Sequence, residues 1–356
     1  MMITITKLVP DESTWSARAQ PPWRRGSRIR GEVTTLVPSA VVVSGGGAIA
    51  ELPRLSVVAQ PDFPDFYIVG APKCGTTAMY QFLRSHPELY LPATKELIYF
   101  GSDLSYRSRL SREDFLEFFR DRRGERHAGT AHTAYLQSRL AAGEIHRARP
   151  DASILIMLRN PVDVLPAWHS ELLYESIEDL ADLESALAAE AERRRGARIP
   201  KNAANSYVEA LFYTDVASFS DQVRRYIEVF GRDRVRVIVY DDFCRDPASE
   251  YRTALQFLGV DPGFQPVFSV INPNRTARSR ALQQVLFHST GRVRKVAKRV
   301  VPGSLRRGII TLNTRHVARP EISASLRLRL NDVFRADVSR LSELLERDLS
   351  HWVDER

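Results

Sequence analysis

Short apolar runs alternate with amphipathic stretches along the chain from residue 66 onward. The runs at 66–69 and 154–158 are uninterrupted, and 235–240 is nearly so, which is typical of strands buried on both faces of a sheet. Apolar residues at helical spacing over 76–85 predict a helix after the first strand. Because strands that alternate with helices pair in parallel, the pattern predicts an α/β fold with a central, mainly parallel sheet flanked by helices.

Further helices are predicted downstream, at 177–195, 207–230, 251–258 and 323–349. The first begins acidic and ends in three arginines, the order that a helix dipole favours, and the next two stop at glycines. Residues 1–62 show no sustained period and contain Pro-Pro and Gly-Gly-Gly, which predicts a poorly ordered N-terminal extension. The expected division is therefore this extension and an α/β domain at 63–356 with a helical C-terminal section.

The stretch from Gly70 to Thr77 joins the first strand to the first helix. Its spacing, Gly-x4-Gly-x-Thr, is that of a phosphate-binding P-loop. Turn N–H groups and the start of the following helix together make a cradle for an anion. The position of the usual nucleotide-clamping lysine holds Thr76, and the lysine lies inside the loop as Lys73. Such a loop predicts binding of a phosphorylated nucleotide but suits ATP hydrolysis poorly.

Arg159 stands at a second informative place, directly after the strand at 154–158 and before Pro161. Ligands of open α/β sheets bind outside the carboxyl ends of the strands. The planar guanidinium suits a phosphate, so Arg159 is expected to point at the same crevice as the loop. The competing interpretation is an arginine that pairs with a nearby carboxylate.

Composition and net charge limit the partners and the cellular location expected for the protein. The 356 residues carry a net charge of +8 and two cysteines, Cys74 and Cys244. The charge suits an anionic cofactor or substrate, nucleic acid or a membrane surface, but no zinc-finger or RNA-binding signature occurs, so nucleic acid is not expected. No stretch reaches the roughly 18 apolar residues of a membrane span. Without a secretory signal or a disulfide framework, the sequence predicts a cytoplasmic protein.

These stretches resemble the sulfotransferases that use 3′-phosphoadenylyl sulfate (PAPS), bacterial members in particular. Residues 72–77 look like the family's 5′-phosphosulfate loop, and 158–163 is similar to its 3′-phosphate segment. Further similarity lies at 95–100, 237–243 and 347–352. The resemblance covers about residues 65 to 352, and it implies a P-loop-like three-layer fold.

The resemblance implies roles for the loop and its neighbours. Lys73 would contact the bridging oxygen of the phosphosulfate and neutralise charge as the sulfuryl group leaves. Arg159 would bind the 3′-phosphate that distinguishes PAPS from ATP, and Arg278 would close over it from a basic loop. No metal is required. The implied nucleotide contacts are Lys73, Cys74, Gly75, Thr76, Thr77, Arg159 and Arg278.

Glu96 is the expected catalytic base, since carbohydrate-modifying members place a glutamate in a matching Lys-Glu segment. It would take a proton from an acceptor hydroxyl or amine as that atom attacks sulfur. The competing interpretation is a solvated glutamate paired with Lys95. His132 and His169 are rival candidates for the base, although a lone histidine is more often structural.

Departures from the family pattern leave open a catalytically weakened, sulfotransferase-like binding protein. Ala167 stands where the family commonly has a serine that shares the 3′-phosphate, and Ser170 would have to compensate. Val164 replaces an arginine found in other branches. The segment 129–132 lacks the usual glutamate and serine.

Two other functions compete with sulfuryl transfer. A nucleotide kinase would use Asp241 or Asp242, after the strand at 235–240, to hold Mg²⁺. A surface-binding module would use the arginines at 292–307 on a polyanion, or in peripheral contact with a membrane. For a sulfotransferase the sequence leaves the acceptor open among carbohydrates, lipids and secondary metabolites, and it does not predict an oligomeric state.

Overall fold

The computed structural model describes residues 62–204, 206–268, 275–277, 279, 312–316 and 321–354. Residues 1–61 of the predicted extension, Arg278 and the arginine-rich stretch at 292–307 lie outside these residues. The domain division and the roles predicted for those segments therefore stay predictions.

Five parallel strands form the central sheet, in the order β2-β3-β1-β4-β5. They are β1 Phe66–Gly70, β2 Leu89–Tyr90, β3 His127–Ala131, β4 Ser153–Leu158 and β5 Val235–Val239. A separate antiparallel pair joins β6 Arg275–Ala277 to β7 Thr314–His316. The predicted α/β fold with a parallel sheet flanked by helices is confirmed.

The two uninterrupted apolar runs occupy the middle of the sheet. Every residue of β1 is buried, as is every residue of β4 after Ser153, because helices cover both faces. The neighbouring strand β3 was not predicted, since its small residues form no apolar run. One of these small residues is Gly129, where a Cβ would lie 2.0 Å from Cζ of Phe66, so the ring of Phe66 occupies the space that a side chain at 129 would need.

Twelve α-helices surround the sheet in the described part of the chain. They are α1 Thr76–Arg84, α2 Arg112–Glu117, α3 Ala141–Ala148, α4 Pro161–Tyr174, α5 Leu183–Ala188, α6 Glu190–Arg194, α7 Lys201–Ala204, α8 Tyr213–Ala217, α9 Ser220–Phe230, α10 Tyr240–Arg245, α11 Pro247–Leu258 and α12 Ala324–Leu345. Short 3-10 turns lie at Thr133–Tyr135, Val208–Leu211, Arg232–Arg234 and Ser350–Trp352. None of the helices described here is both long and apolar enough to cross a bilayer.

The single helix predicted over 207–230 is wrong. The chain forms a 3-10 turn, α8 and α9 instead, with an extended residue at Ser218. The break before α9 follows from a distant carboxylate: Asp337 of α12 accepts hydrogen bonds from the N–H groups of Phe219, at 2.7 Å, and Ser220. A side chain from the C-terminal helix thus caps α9, which residues near the break do not reveal.

The helix predicted over 177–195 is also wrong, because residues before Asp182 are not helical and the remainder divides into α5 and α6. Two other predicted helices have different ends in the structure. Helix α11 begins at Pro247 rather than at residue 251, capped by Asp246, which accepts from the Ser249 N–H at 2.9 Å. The C-terminal section ends as a helix at Leu345 and closes with a 3-10 turn.

Candidate active site

A cavity of about 430 Å³ opens at the carboxyl edge of the sheet. Its wall contains residues that follow four of the strands: the loop after β1, His132 after β3, Arg159 after β4 and Tyr240 after β5. The structure therefore brings the predicted loop and the predicted arginine into one crevice, as the strand-end rule requires. Glu96 lines the same cavity.

Gly75 sets the shape of the loop. It is the N-cap of α1 in the left-handed conformation, with φ of 87° and no side-chain hydrogen bond to the helix. The positive φ favours glycine here, and a Cβ would also be in tight contact, 3.2 Å from Cε of Met157. No described residue accepts a hydrogen bond from the N–H groups of Thr76 and Thr77. These first-turn donors face a cavity and suit a phosphate.

Lys73 points into the cavity and pairs with a carboxylate that sequence reasoning missed. Its Nζ lies 2.9 Å from Oε2 of Glu171, which belongs to α4. Both side chains are about four-fifths buried, at 21% and 18% exposed. The pairing holds the ammonium group over the loop and gives it a partner that a bound anion would have to displace.

Cys74 is the member of the predicted loop whose side chain turns away from the cavity. It is fully buried, and its Sγ donates to the carbonyl oxygen of Pro72 at 3.3 Å. Burial raises the pKa of the Cys74 thiol to about 12, so the thiol stays protonated. Only its backbone is available to a ligand.

Glu96 is held by contacts to its neighbour Lys95, to the end of β3 and to the 3-10 turn that follows it. Its backbone N–H donates to the carbonyl oxygen of Ala131 at 3.0 Å, and its carboxylate accepts from the Thr133 N–H at 2.9 Å and pairs with Lys95. Burial opposes ionisation, but Lys95, His132 and the Thr133 N–H outweigh it and hold the pKa of Glu96 below its ordinary value of 4.5. The carboxylate is therefore ionised at neutral pH and can accept a proton.

The two histidines differ in position. His132 lines the cavity, and its Nδ1 lies 3.5 Å from Oε2 of Glu96. Burial lowers the pKa of His132 to about 4, so the ring is neutral at neutral pH. His169 does not line the cavity; its Nε2 lies 2.9 Å from the carbonyl oxygen of Leu180. This placement argues against His169 as a base.

Arg159 lies with its guanidinium 4.8 Å from the centre of the Tyr240 ring, a cation–π distance. Its separation from Asp163 is 4.0 Å, and Asp163 also contacts Arg327 at 3.0 Å. Asp163 is therefore closer to Arg327 than to Arg159. Among the described residues it does not occupy the N–H groups of Arg159, which can bind a ligand. The adjacent Asn160 caps α4, accepting from the Val162 N–H at 2.9 Å.

Ser170 does not supply the hydroxyl that Ala167 lacks, because it does not belong to the described wall of the cavity. Ala167 is buried, and neither it nor Ser170 is among the lining residues. Arg278 lies outside the described residues, so its role in closing over the 3′-phosphate stays a prediction.

The aspartates that a kinase would need are engaged elsewhere. Asp241 accepts from Nε1 of Trp352 at 2.9 Å, and Asp242 pairs with Arg347 and, at 3.1 Å, with Arg245. Neither is among the described residues that line the cavity. Their environment is that of structural anchors for the C-terminal turn.

Other lining residues were also missed by sequence reasoning. They come from the loop before α2, the segment after β3, and the helices and connections after β4, whose docking a single sequence does not fix. The aromatic and amide members are Tyr106, Gln137, Trp168, Tyr207 and Gln222.

The family model for the sulfotransferase domain matches residues 63–272. Over 154 residues the chain is 30% identical to carbohydrate sulfotransferase 15 of Rattus norvegicus and to the Homo sapiens protein of the same name, covering 31% of this chain and 27% of each relative. The chain thus matches about a quarter of the length of these relatives.

The crystal structure of a sulfotransferase from Alicyclobacillus acidocaldarius superposes with a TM-score of 0.61 at 30% identity, covering 82% of this chain and 99% of that one. The family-model match covers more than half of the chain, from before β1 to beyond α11. It includes the loop, Glu96 and Arg159. This chain therefore belongs to the sulfotransferase domain family.

Proposed function

We propose that the protein transfers a sulfuryl group from PAPS to a hydroxyl or amine of an acceptor. The observation that carries the proposal is that three groups line one cavity. They are the loop that contains Lys73, the guanidinium of Arg159 after β4, and the ionised carboxylate of Glu96. The family membership makes sulfuryl transfer the reaction class, the donor is inferred from that family, and the chemistry of these side chains is compatible with it.

The residues fit a doubly phosphorylated adenosine. The N–H groups at the start of α1 and the hydroxyls of Thr76 and Thr77 would hold the 5′-phosphate, with Lys73 at the bridging oxygen. Arg159 would bind the 3′-phosphate through its planar fork. No metal ion is needed for these contacts, because the positive charge comes from side chains and helix N–H groups.

PAPS supplies the sulfuryl group and leaves as adenosine 3′,5′-bisphosphate. The acceptor oxygen or nitrogen forms a bond to sulfur as the bond from sulfur to the phosphate oxygen breaks, and the acceptor's proton passes to Glu96. Lys73 would stabilise negative charge that develops on the leaving oxygen. Thr133 and Lys95 keep Glu96 oriented and ionised.

The acceptor is a matter for experiment. Two relatives are named carbohydrate sulfotransferases, and their names make carbohydrate one class to test beside lipids and secondary metabolites. The match to them covers 27% of their length, so their activity is not carried over. A cytoplasmic location likewise stays a prediction.

Calorimetric titration with three nucleotides tests the donor. We expect adenosine 3′,5′-bisphosphate to bind at least about tenfold more tightly than adenosine 5′-phosphate, since Arg159 would add a charge-assisted contact to the 3′-phosphate. Arg159→Ala should remove the difference, and Arg252→Ala, on the exposed side of α11, should leave it intact. Preference for ATP with Mg²⁺ would instead support a kinase, and equal binding of all three would refute the proposal.

A further inference from the structure

Lys95 lies in the described wall of the cavity, next to both the loop and the candidate base. Its Nζ donates to Oγ1 of Thr76 at 3.4 Å and pairs with Oε1 of Glu96. The side chain is 16% exposed, so the ammonium group is largely enclosed but still lines the cavity. One cation therefore contacts the first residue of α1 and the carboxylate expected to take the acceptor's proton.

The other lysine and the arginine of the described lining are engaged differently. Lys73 pairs with Glu171 of α4, and Arg159 lies against the ring of Tyr240. Within the described part of the chain, the lysine or arginine that pairs with Glu96 is Lys95.

The ammonium group of Lys95 has a donor to spare. A lysine has three N–H donors and no acceptor. One donor is directed to Glu96 and one to Thr76, and the 3.4 Å separation from Thr76 is long for a hydrogen bond. No further described residue accepts from Lys95. At least one N–H is therefore available to a bound molecule.

The charge of Glu96 explains why a cation is needed here. In the proposed reaction the sulfuryl group passes from the leaving oxygen, at the loop, to an acceptor atom beside Glu96. The ionised carboxylate would repel the negatively charged oxygens of that group. A cation that contacts both the loop and the carboxylate is placed to offset this repulsion and to donate to one of those oxygens.

We propose that Lys95 binds a sulfuryl oxygen of the donor while it stays paired with Glu96, as a donor-binding residue in addition to Lys73 and Arg159. Lys95 donates hydrogen bonds and transfers no proton. The acceptor's proton still passes to Glu96 as the bond to sulfur forms and the bond from sulfur to the phosphate oxygen breaks. This inference rests on the proposed function, because it takes PAPS as the donor.

The test compares PAPS with adenosine 3′,5′-bisphosphate, which lacks the sulfuryl group but carries nearly the same charge at pH 8. Calorimetry without an acceptor gives the dissociation constants of both nucleotides, and their ratio is the preference for PAPS. Lys95→Met should lower this preference about tenfold, because a charge-assisted hydrogen bond to the sulfuryl group is lost. Retained binding of the bisphosphate shows that the variant is folded.

Two further variants make the result specific. Lys201→Met, at an exposed lysine of α7 outside the described lining, should keep the preference. The double variant Lys95→Met/Glu96→Gln removes both charges, so it separates a direct contact from an effect through Glu96. Its preference should stay as low as that of Lys95→Met. If Lys95→Met does not bind the bisphosphate, Lys95→Gln, whose amide can still donate to Glu96, is measured against the same criteria.

The binding data separate this inference from the proposed function. An unchanged preference in Lys95→Met, or its recovery in the double variant, would overturn the role of Lys95 and leave the donor assignment standing. If the wild type does not bind adenosine 3′,5′-bisphosphate more tightly than adenosine 5′-phosphate, the proposed function fails, and the role of Lys95 fails with it.

Discussion

Lys73 and Glu96 adopt a backbone conformation that few residues other than glycine accept. Their φ angles are 63° and 62°, and both side chains line the cavity. A left-handed non-glycine residue costs about 1–3 kcal/mol, and it persists where surrounding contacts fix it. For Glu96 those contacts are the hydrogen bonds to Ala131 and Thr133. Strain at these two residues is consistent with a functional role for both.

Glu96→Gln tests the base at the scale of one residue. We expect kcat to fall about 10²- to 10⁴-fold, because the amide cannot take the acceptor's proton, with the affinity for adenosine 3′,5′-bisphosphate unchanged. Because the pKa of Glu96 is lowered, wild-type activity should persist as pH falls past 4.5 and be lost only through the lower folded pKa. Steady-state kinetics from pH 3.5 to 8 provide the measurement.

Glu228→Gln, on the exposed side of α9, is the matched control. Turnover retained by Glu96→Gln would assign proton removal to His132, whose Nδ1 lies 3.5 Å from Oε2 of Glu96. Lys73→Ala should abolish turnover through lost charge stabilisation whichever group is the base.

Glu171→Gln should tighten binding of adenosine 3′,5′-bisphosphate about three- to tenfold, because a carboxylate that competes for Lys73 and repels the phosphates is neutralised. Calorimetric dissociation constants at two salt concentrations check this, and the gain should shrink at high salt. Glu184→Gln, on α5 and outside the cavity lining, is the control. Weaker binding in Glu171→Gln would mean that this carboxylate positions the lysine instead.

Sequence alone identified those parts of the site that are local in the chain. The loop at 70–77 and Arg159 each follow directly from a strand, so their position at the sheet edge is determined by topology. Glu171 and Gln222 were not identified, because a helix presents different residues to the cavity depending on its rotation and docking. The apolar residues of α9 mark its core-facing side, but the pattern does not tell which polar residues of α4 or α9 reach the cavity.

At the scale of elements, the caps at the N-termini of α4 and α5 can be compared. Asn160 caps α4 and also donates from Nδ2 to the carbonyl oxygen of Trp352 at 2.8 Å, so one side chain joins the Arg159 segment to the C-terminal turn. Asp182 caps α5 in the same manner, through the Ser185 N–H at 2.8 Å, but lies outside the cavity lining. The two caps therefore form a matched pair.

Asn160→Ala should lower the free energy of unfolding by about 1–2 kcal/mol through the lost cap and weaken binding of adenosine 3′,5′-bisphosphate, because Arg159 loses its support. Asp182→Ala should cost similar stability and leave nucleotide affinity unchanged. Urea denaturation and calorimetry measure the two effects. Equal nucleotide affinity in both variants would show that the C-terminal turn does not position Arg159.

Strands were predicted correctly where apolar runs are long. Helices were predicted wrongly where a residue distant in the sequence determines where the helix begins. Strands β1, β4 and β5 were found within one residue of their ends. The helix predicted over 207–230 divides because Asp337, more than a hundred residues later, caps α9. Strand β3 was missed because its small residues match the ring of Phe66 rather than an apolar pattern.

At the scale of the whole molecule, a buried charge cluster ties the helices after β4 together. Arg193 donates two hydrogen bonds of 2.7 Å to the Glu178 carboxylate, with both side chains fully buried, and Tyr213 donates to the same carboxylate at 2.8 Å. Burial opposes ionisation of Glu178, but the donors outweigh it, and the pKa of Glu178 lies below its ordinary value of 4.5. Such a pair stabilises the fold only while it is intact.

Glu178→Gln should therefore unfold about 3–5 kcal/mol more easily at pH 7, because it leaves the Arg193 charge buried without its partner. A depressed pKa contributes stability above the unfolded value, and that contribution is lost as pH falls through the folded value. The gap between wild type and variant should accordingly narrow below pH 4.5. Denaturant unfolding at several pH values measures it, and a gap independent of pH would contradict the assignment.

Two tryptophans lie at different places around the candidate site: Trp168 lines the cavity, and Trp352 donates to Asp241 and accepts from Asn160, the residue beside Arg159. Their fluorescence would report separately on the two halves of the reaction. With Trp15 and Trp23 replaced by phenylalanine, phenylalanine at one of the two remaining positions would leave the other as the only tryptophan, so the proposed nucleotide and acceptor could each be followed in real time without a label.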